Sequence, residues 1–240
     1  MNIYTFCHFF KVEEAAYLYF NQSVVRGENV NPQVAKKLQL YLRAMSLFGL
    51  TVLCFGFSYS HLLLHMYGGT NLSQGLGPSL LRGHCFFVFI MALNGVSECF
   101  SFAIMTSQQV NQYNYIMSAM TVIFLVCAWI FSKVFGPVGF IVANCCNFAM
   151  RIIHSSYVIH KHNGSEALKG LLPTVTTLLC LISSGIICNL SENFIYDPNQ
   201  LEKILLHLII GGLFFVITMV VMFFSEKDIV NSVRNKEHAE

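Results

Sequence analysis

Six apolar runs of membrane-crossing length dominate the 240-residue chain. The hydrocarbon core of a bilayer is about 30 Å thick and takes about 20 residues of helix to cross. Ala44–Leu64, His84–Met105, Tyr115–Phe135, Val138–Ile159, Leu171–Leu190 and Ile204–Phe224 each meet that length. Water does not reach the backbone inside a bilayer, so peptide groups there must bond within their own segment, and these runs are helices rather than open strands. Turn formers mark several of the short connections: Gly68-Gly69, Gly75-Leu76-Gly77-Pro78, Gly136-Pro137, Asn163-Gly164 and Asp197-Pro198-Asn199. The expected fold class is all-α, a polytopic membrane protein of six transmembrane helices.

Composition excludes the soluble alternatives. Charged residues are 11% of the chain, where a water-facing domain carries about 25%. A net charge of +2 is too small to point to a nucleic-acid partner. Eight of the nine cysteines (Cys54, Cys85, Cys99, Cys127, Cys145, Cys146, Cys180 and Cys188) lie inside or beside apolar runs, where they act as small hydrophobes. No CxxC pair suggests zinc, and no P-loop, nucleophile elbow or HExxH is present, so the reading is a non-enzyme without metal or cofactor. The N-terminus does not read as a signal peptide, because no basic region precedes its apolar residues and Lys11, Glu13 and Glu14 interrupt them.

Basic residues set the expected orientation, since cytosolic loops carry the excess of Lys and Arg. Lys11, Arg26, Lys36, Lys37, Lys161, Lys169, Lys227, Arg234 and Lys236 fall on one side, nine against Arg82, Lys133 and Lys203 on the other. Both termini are therefore expected in the cytosol. The chain divides into a cytosolic segment 1–37, a six-helix lobe 38–225 and a cytosolic tail 226–240. Asn71-Leu72-Ser73 becomes an exoplasmic glycosylation sequon, with Asn71 the candidate acceptor.

Polar residues at depth are the candidate functional groups. In the second span Asn94, Ser97, Glu98 and Ser101 recur at helical spacing and share one face. In the fourth, Asn144, Asn147, Arg151, His154 and Ser155 form a second stripe. Both spans run in the same direction, and Glu98 and Arg151 fall at similar depth. A charge near the bilayer centre costs about 2.5–3.5 kcal/mol on insertion scales, and pairing Glu98 with Arg151 would offset much of that. Two readings stay open for the neutral members: a hydrated path, or hydrogen bonds that hold packed helices together. His61, His65, His84 and His207 stand near helix ends and read as interfacial. His160 and His162 flank Lys161 in a loop without the further ligands a metal would need.

Four stretches carry a resemblance: VEEAAYLYF (Val12–Phe20), FGFSYSHLLLHMYGGTNLSQGLGPSLLR (Phe55–Arg82), LNGVSECFSFAIM (Leu93–Met105) and GPVGFIVANCCNFAMRI (Gly136–Ile152). With their spacing, the chain resembles the C-terminal half of the Rft1-type proteins. That is the endoplasmic-reticulum family named for translocation of dolichol-linked oligosaccharide. The resemblance implies a lobe like those of the multidrug/oligosaccharidyl-lipid/polysaccharide exporter superfamily, working by alternating access around a cavity. It implies a multi-pass protein of the endoplasmic-reticulum membrane that takes Man5GlcNAc2-PP-dolichol from the cytosolic to the lumenal leaflet for protein N-glycosylation. The implied partners are that lipid-linked oligosaccharide, membrane lipid and other N-glycosylation proteins. The family's acidic pair maps to Glu13 and Glu14, and its polar stripe to Asn94, Glu98, Asn144, Asn147 and Arg151. Arg43 and Arg151 become candidate contacts for the substrate's pyrophosphate. The alternative is a non-transporting scaffold or lipid-binding accessory of the same pathway. Family members are about twice as long, Phe10-Lys11 departs from the family pattern, and MNIYTFCHF does not continue the expected helix. The expectation is a truncated gene model or an alternative start.

Overall fold

The computed structural model describes residues 14–28, 30–227 and 229. Glu13 and nearly all of the tail beyond residue 227 lie outside the described residues. Within them, the regular elements are helical: α1 (14–23), α2 (Pro32–Ser58), α3 (Ser60–Ser73), α4 (Gly77–Ile104), α5 (Ser107–Phe135), α6 (Pro137–Asn163), a 3₁₀ turn (Ser165–Leu171), α7 (Val175–Phe194) and α8 (Leu201–Ser225). Six helical segments are long and apolar enough to cross a membrane: Pro32–Ser58, Gly77–Ile104, Ser107–Phe135, Pro137–His162, Glu166–Phe194 and Leu201–Ser225. The all-α, six-span architecture expected from the apolar runs is the one observed.

The chain forms two compact units, each assembled from separate stretches of sequence. The first holds the described residues up to Ser46 together with Ile90–Leu172; the second holds Leu47–Phe89 and the described residues from Pro173 onward. The long helices α2 and α4 each contribute to both.

The first unit is built on helical spacing of large apolar residues. Val34, Leu38, Leu42 and Met45 line one face of α2, and Ala92, Val96, Phe100 and Ala103 line one face of α4. Ala16 and Phe20 of α1 join the same core, with Phe20 meeting Phe100 edge-on at a centroid distance of 4.9 Å. Gly27 adopts φ 82°, and its amide donates to the carbonyl of Ile104 at 2.9 Å, satisfying a backbone group near the end of α4. Gly136, at φ 62°, makes the turn between α5 and α6, where a side chain would be strained.

Several span boundaries differ from expectation: α4 begins at Gly77 rather than His84 and α5 at Ser107 rather than Tyr115, and the first and fifth spans shift as well. The first span was placed at Ala44–Leu64, whereas α2 starts at Pro32, six residues before the position where the lobe was drawn to begin. The reason is local: Asn31 Oδ1 accepts from the Gln33 amide at 3.0 Å, and proline suits the first helical position. The basic residues Lys36 and Lys37 ride on an amphipathic turn whose apolar side, Val34 and Leu38, is buried. At its other end α2 stops at Ser58, because Tyr59 leaves the helical conformation at φ −103°, ψ 9°. The carbonyl of Phe57 then accepts from Ser60 Oγ at 2.9 Å and Arg82 Nε at 3.2 Å, so Leu64 belongs to α3. The fifth span, expected from Leu171, becomes α-helical only at Val175, because Pro173 forces the preceding residue into extended backbone, seen at Leu172 with φ −110°, ψ 134°.

The second unit is closed by small polar residues. Thr177, Leu181, Ser184, Cys188 and Ser191 recur every three or four residues and form the buried face of α7. Facing them on α8 are His207, Gly211 and Thr218. Ser191 Oγ meets His207 Nδ1 at 2.8 Å, and Ser184 Oγ meets Thr218 Oγ1 at 3.1 Å. Beyond the end of α8, Glu226 Oε1 accepts from the Thr174 amide at 2.8 Å. In lipid, apolar contact alone does not drive helices together, and small residues with interhelical hydrogen bonds do that work.

Candidate functional site

In the first unit α4 and α6 bring their polar stripes together at Glu98. Arg151 Nη1 lies 3.4 Å from Glu98 Oε2 and 3.5 Å from Oε1. Asn94, one turn earlier on α4, donates from Nδ2 to Oε2 at 2.8 Å. Tyr113 of α5 donates its hydroxyl to Oε1 at 2.8 Å. Each carboxylate oxygen therefore has a neutral donor, and the two share the guanidinium. The side chains of Arg151 and Glu98 are 25% and 15% exposed, so the pair is largely withdrawn from its surroundings. Burying an ion pair is tolerated when hydrogen bonds satisfy its remaining lone pairs, which Asn94 and Tyr113 do here. The His154 ring lies against Tyr113 at 4.5 Å between centroids, and the Arg151 guanidinium lies 5.3 Å from the centre of the Phe148 ring.

The remaining candidates are placed differently. Ser97 is buried, but its hydroxyl turns back onto α4 and donates to the carbonyls of Leu93 and Asn94 at 2.9 and 3.0 Å. Asn144 likewise bonds its own helix, to the Phe140 carbonyl at 3.0 Å. Asn147, one turn before Arg151, is half-buried. Arg43 stands near the middle of α2 rather than at its end, because the helix begins at Pro32. Glu14 is exposed on α1, and its neighbour Glu13 lies outside the described residues. Asn71 is exposed in the last turn of α3.

A second charged cluster, in the second unit, has no counterpart in the stripes read from the sequence. Arg82 Nη2 donates to Glu192 Oε2 at 2.7 Å, with Glu192 only 4% exposed. The same guanidinium bonds Ser60 Oγ at 2.9 Å and stacks over Phe57. His207, read as interfacial, is fully buried: its ring stacks on Tyr59 and is held by Ser191. Its position less than two turns inside α8 hid this, since only the partner helices decide whether a histidine near a helix end faces water. Thr177, Ser184 and Ser191, seven residues apart, were the available signal that α7 has a polar buried face. Tyr113 was missed because a tyrosine in the polar first turns of a span reads as an interfacial anchor.

Six membrane-length helices, with one ion pair held by neutral hydrogen-bond donors and a second that leaves Glu192 Oε1 without a partner among the described residues, define a polytopic helical membrane protein with charged groups inside its helix bundle. The chain belongs to the Rft family: the family described as "Rft protein" matches residues 7–236. It is 36% identical to the Man(5)GlcNAc(2)-PP-dolichol translocation protein RFT1 of Xenopus tropicalis over 237 residues, covering 95% of this chain and 44% of that protein. The protein of the same name from Mus musculus is 35% identical, with 94% and 43% covered, and that from Drosophila melanogaster is 38% identical, with 74% and 34% covered. The chain thus spans less than half the length of the relatives it matches. No solved structure matches it.

Proposed function

We propose that this chain forms part of a device that carries a dolichol-linked oligosaccharide across the endoplasmic-reticulum membrane for N-glycosylation, with both termini in the cytosol. The names of its relatives supply the substrate class, Man(5)GlcNAc(2)-PP-dolichol. The observation that carries the reading is the Glu98–Arg151 pair and the polar atoms around it. Asn94 Oδ1, Ser101 Oγ, Arg151 Nε, His154 Nδ1 and Ser155 Oγ are buried without a hydrogen-bond partner among the described residues. A glycan cannot enter hydrocarbon unaided, since each hydroxyl stripped of water needs a replacement partner. Side chains with unused donors and acceptors on membrane-spanning helices supply such partners. The dolichol tail stays in the bilayer. The lobe moves by alternating access, with Glu98 acting as counter-ion to Arg151 or as a gate. The chain transports without catalysing a bond change.

A scaffold for other N-glycosylation proteins is the second reading. It is favoured by Ser97 and Asn144, whose side chains bond back onto their own helices.

Complementation separates the two. Cells depleted of their own family member receive this chain or its Arg151→Ala variant, and lipid-linked oligosaccharide and glycoprotein occupancy are measured. Restored full-length glycans with the chain, lost with Arg151→Ala at equal expression, support transport through this lobe. Restoration by both variants alike sinks the role of the ion cluster and favours the scaffold.

A further inference from the structure

Within the first unit a cleft of about 150 Å³ opens between the first turns of α5 and the last turns of α6. Gln109, Gln112 and Tyr113 line it from α5, and His154, Lys161 and His162 from α6. Among the described residues no carboxylate lines it. Glu98, which meets the lining Tyr113, is turned to Arg151, Asn94 and the Tyr113 hydroxyl. His154 Nδ1 and His162 Nε2 are both buried and have no hydrogen-bond partner among the described residues. The α5 N-terminus adds a positive partial charge at the same end, where the Thr106–Gln109 capping box engages only some of the free amides. Apolar Ile116 and Val158 complete the wall. The cleft therefore presents one ammonium, two imidazoles, two amides and a helix start to a small volume with an apolar flank.

We infer that this cleft binds the phosphate group of a membrane lipid. Phosphate oxygens accept a charge-assisted hydrogen bond from the ammonium, and imidazole and amide N–H groups complete the shell. The cleft stands where α5 begins and α6 ends, beside Lys161, and the ends of membrane-crossing helices are where lipid headgroups are met. This deepens the proposed function, and rests on it only in the choice of an isoprenoid diphosphate as probe.

The test uses the full 240-residue chain in dodecyl-maltoside micelles, which contain no phosphate. Farnesyl diphosphate is titrated by isothermal calorimetry, with farnesol and inorganic pyrophosphate as competitors. Lys161 and Gln112 are exposed, so Lys161→Glu and Gln112→Glu leave the fold intact, as circular dichroism will show. Both are expected to weaken farnesyl diphosphate by about tenfold or more through charge repulsion. Lys169→Glu, at an exposed lysine 2.6 Å from Glu166, is expected to change nothing. Farnesol should not compete. Equal affinity for inorganic pyrophosphate would overturn the lipid source and leave a free-phosphate site. Absent binding, or equal losses in Lys161→Glu and Lys169→Glu, would overturn the site altogether. Binding measured this way is independent of transport: failed complementation with intact binding sinks the proposed function alone.

Discussion

Tyr59 and His207 stack almost parallel, 4.3 Å between ring centroids and 14° between planes, and the Tyr59 hydroxyl also donates to the backbone carbonyl of His207 at 2.6 Å. One residue thus breaks a helix, caps a contact and fixes a buried imidazole. Tyr59 sits at the non-helical joint between α2 and α3, so the joint is tied directly to α8 inside the second unit.

That contact leaves no room at Gly211. A Cβ there would collide with the Tyr59 hydroxyl and ring, whereas a Cβ on Gly212 meets nothing within 4 Å. Gly211→Ala should therefore destabilise the chain by about 1–3 kcal/mol, the usual range for overpacking. Gly212→Ala should be neutral or slightly stabilising, since alanine is the better helix former. Thermal unfolding of both variants in micelles checks the contrast, and equal midpoints would refute the close approach.

The Glu98–Arg151 pair predicts a charge-reversal pattern. Arg151→Glu sets two carboxylates against each other where the native chain has a pair at 3.4 Å. Breaking a fully buried pair costs about 3–5 kcal/mol, and this partly exposed pair should cost less. The double variant Glu98→Arg/Arg151→Glu should recover part of the loss in folded yield after detergent extraction. A double variant no better than the singles means the two groups do not couple. Tyr113→Phe removes only one hydrogen bond to Glu98 and should cost about 1–2 kcal/mol.

Arg82 and Glu192 make the tighter pair, and the cluster not read from the sequence is expected to matter more for folding. Arg82→Met leaves the 4% exposed Glu192 carboxylate without its cation and should lower stability by about 3 kcal/mol or more. Arg82→Met/Glu192→Met should be closer to the native chain than Arg82→Met alone, because no buried charge is left unmatched. A double-mutant cycle by chemical denaturation in micelles measures the coupling.

Glu226 acts as a helix cap from outside its helix. Thr174 is the N-cap residue of α7, but its own side chain bonds no helix amide. Instead Glu226 Oε1 accepts from the Thr174 amide at 2.8 Å, Thr174 Oγ1 at 2.9 Å and Thr177 Oγ1 at 3.3 Å. Glu226→Ala should cost about 1–2 kcal/mol, as loss of a cap does, and raise hydrogen exchange of the Thr174 amide that Glu226 accepts from. Unchanged exchange there would show that the cap is not needed.

Hydrophobic patterning along the sequence by itself determined the class of this protein. Twenty-residue apolar runs admit only helices in a bilayer, and their number made it a six-span protein. It also brought Asn94, Glu98 and Arg151 onto faces able to meet, because helical spacing is a local property. The partners of those faces are not local. Tyr113 reaching Glu98, Arg82 reaching Glu192 across 110 positions of sequence and His207 buried under Tyr59 follow from which helix packs on which. The break at Tyr59 is decided in the same way. Ser58, Tyr59 and Ser60 could continue a helix, and the segment bends because Arg82 and Ser60 satisfy the carbonyl that the break releases at Phe57. A buried polar group can be recognised in one dimension, but the group that completes its hydrogen bonds is chosen only when the helices have packed.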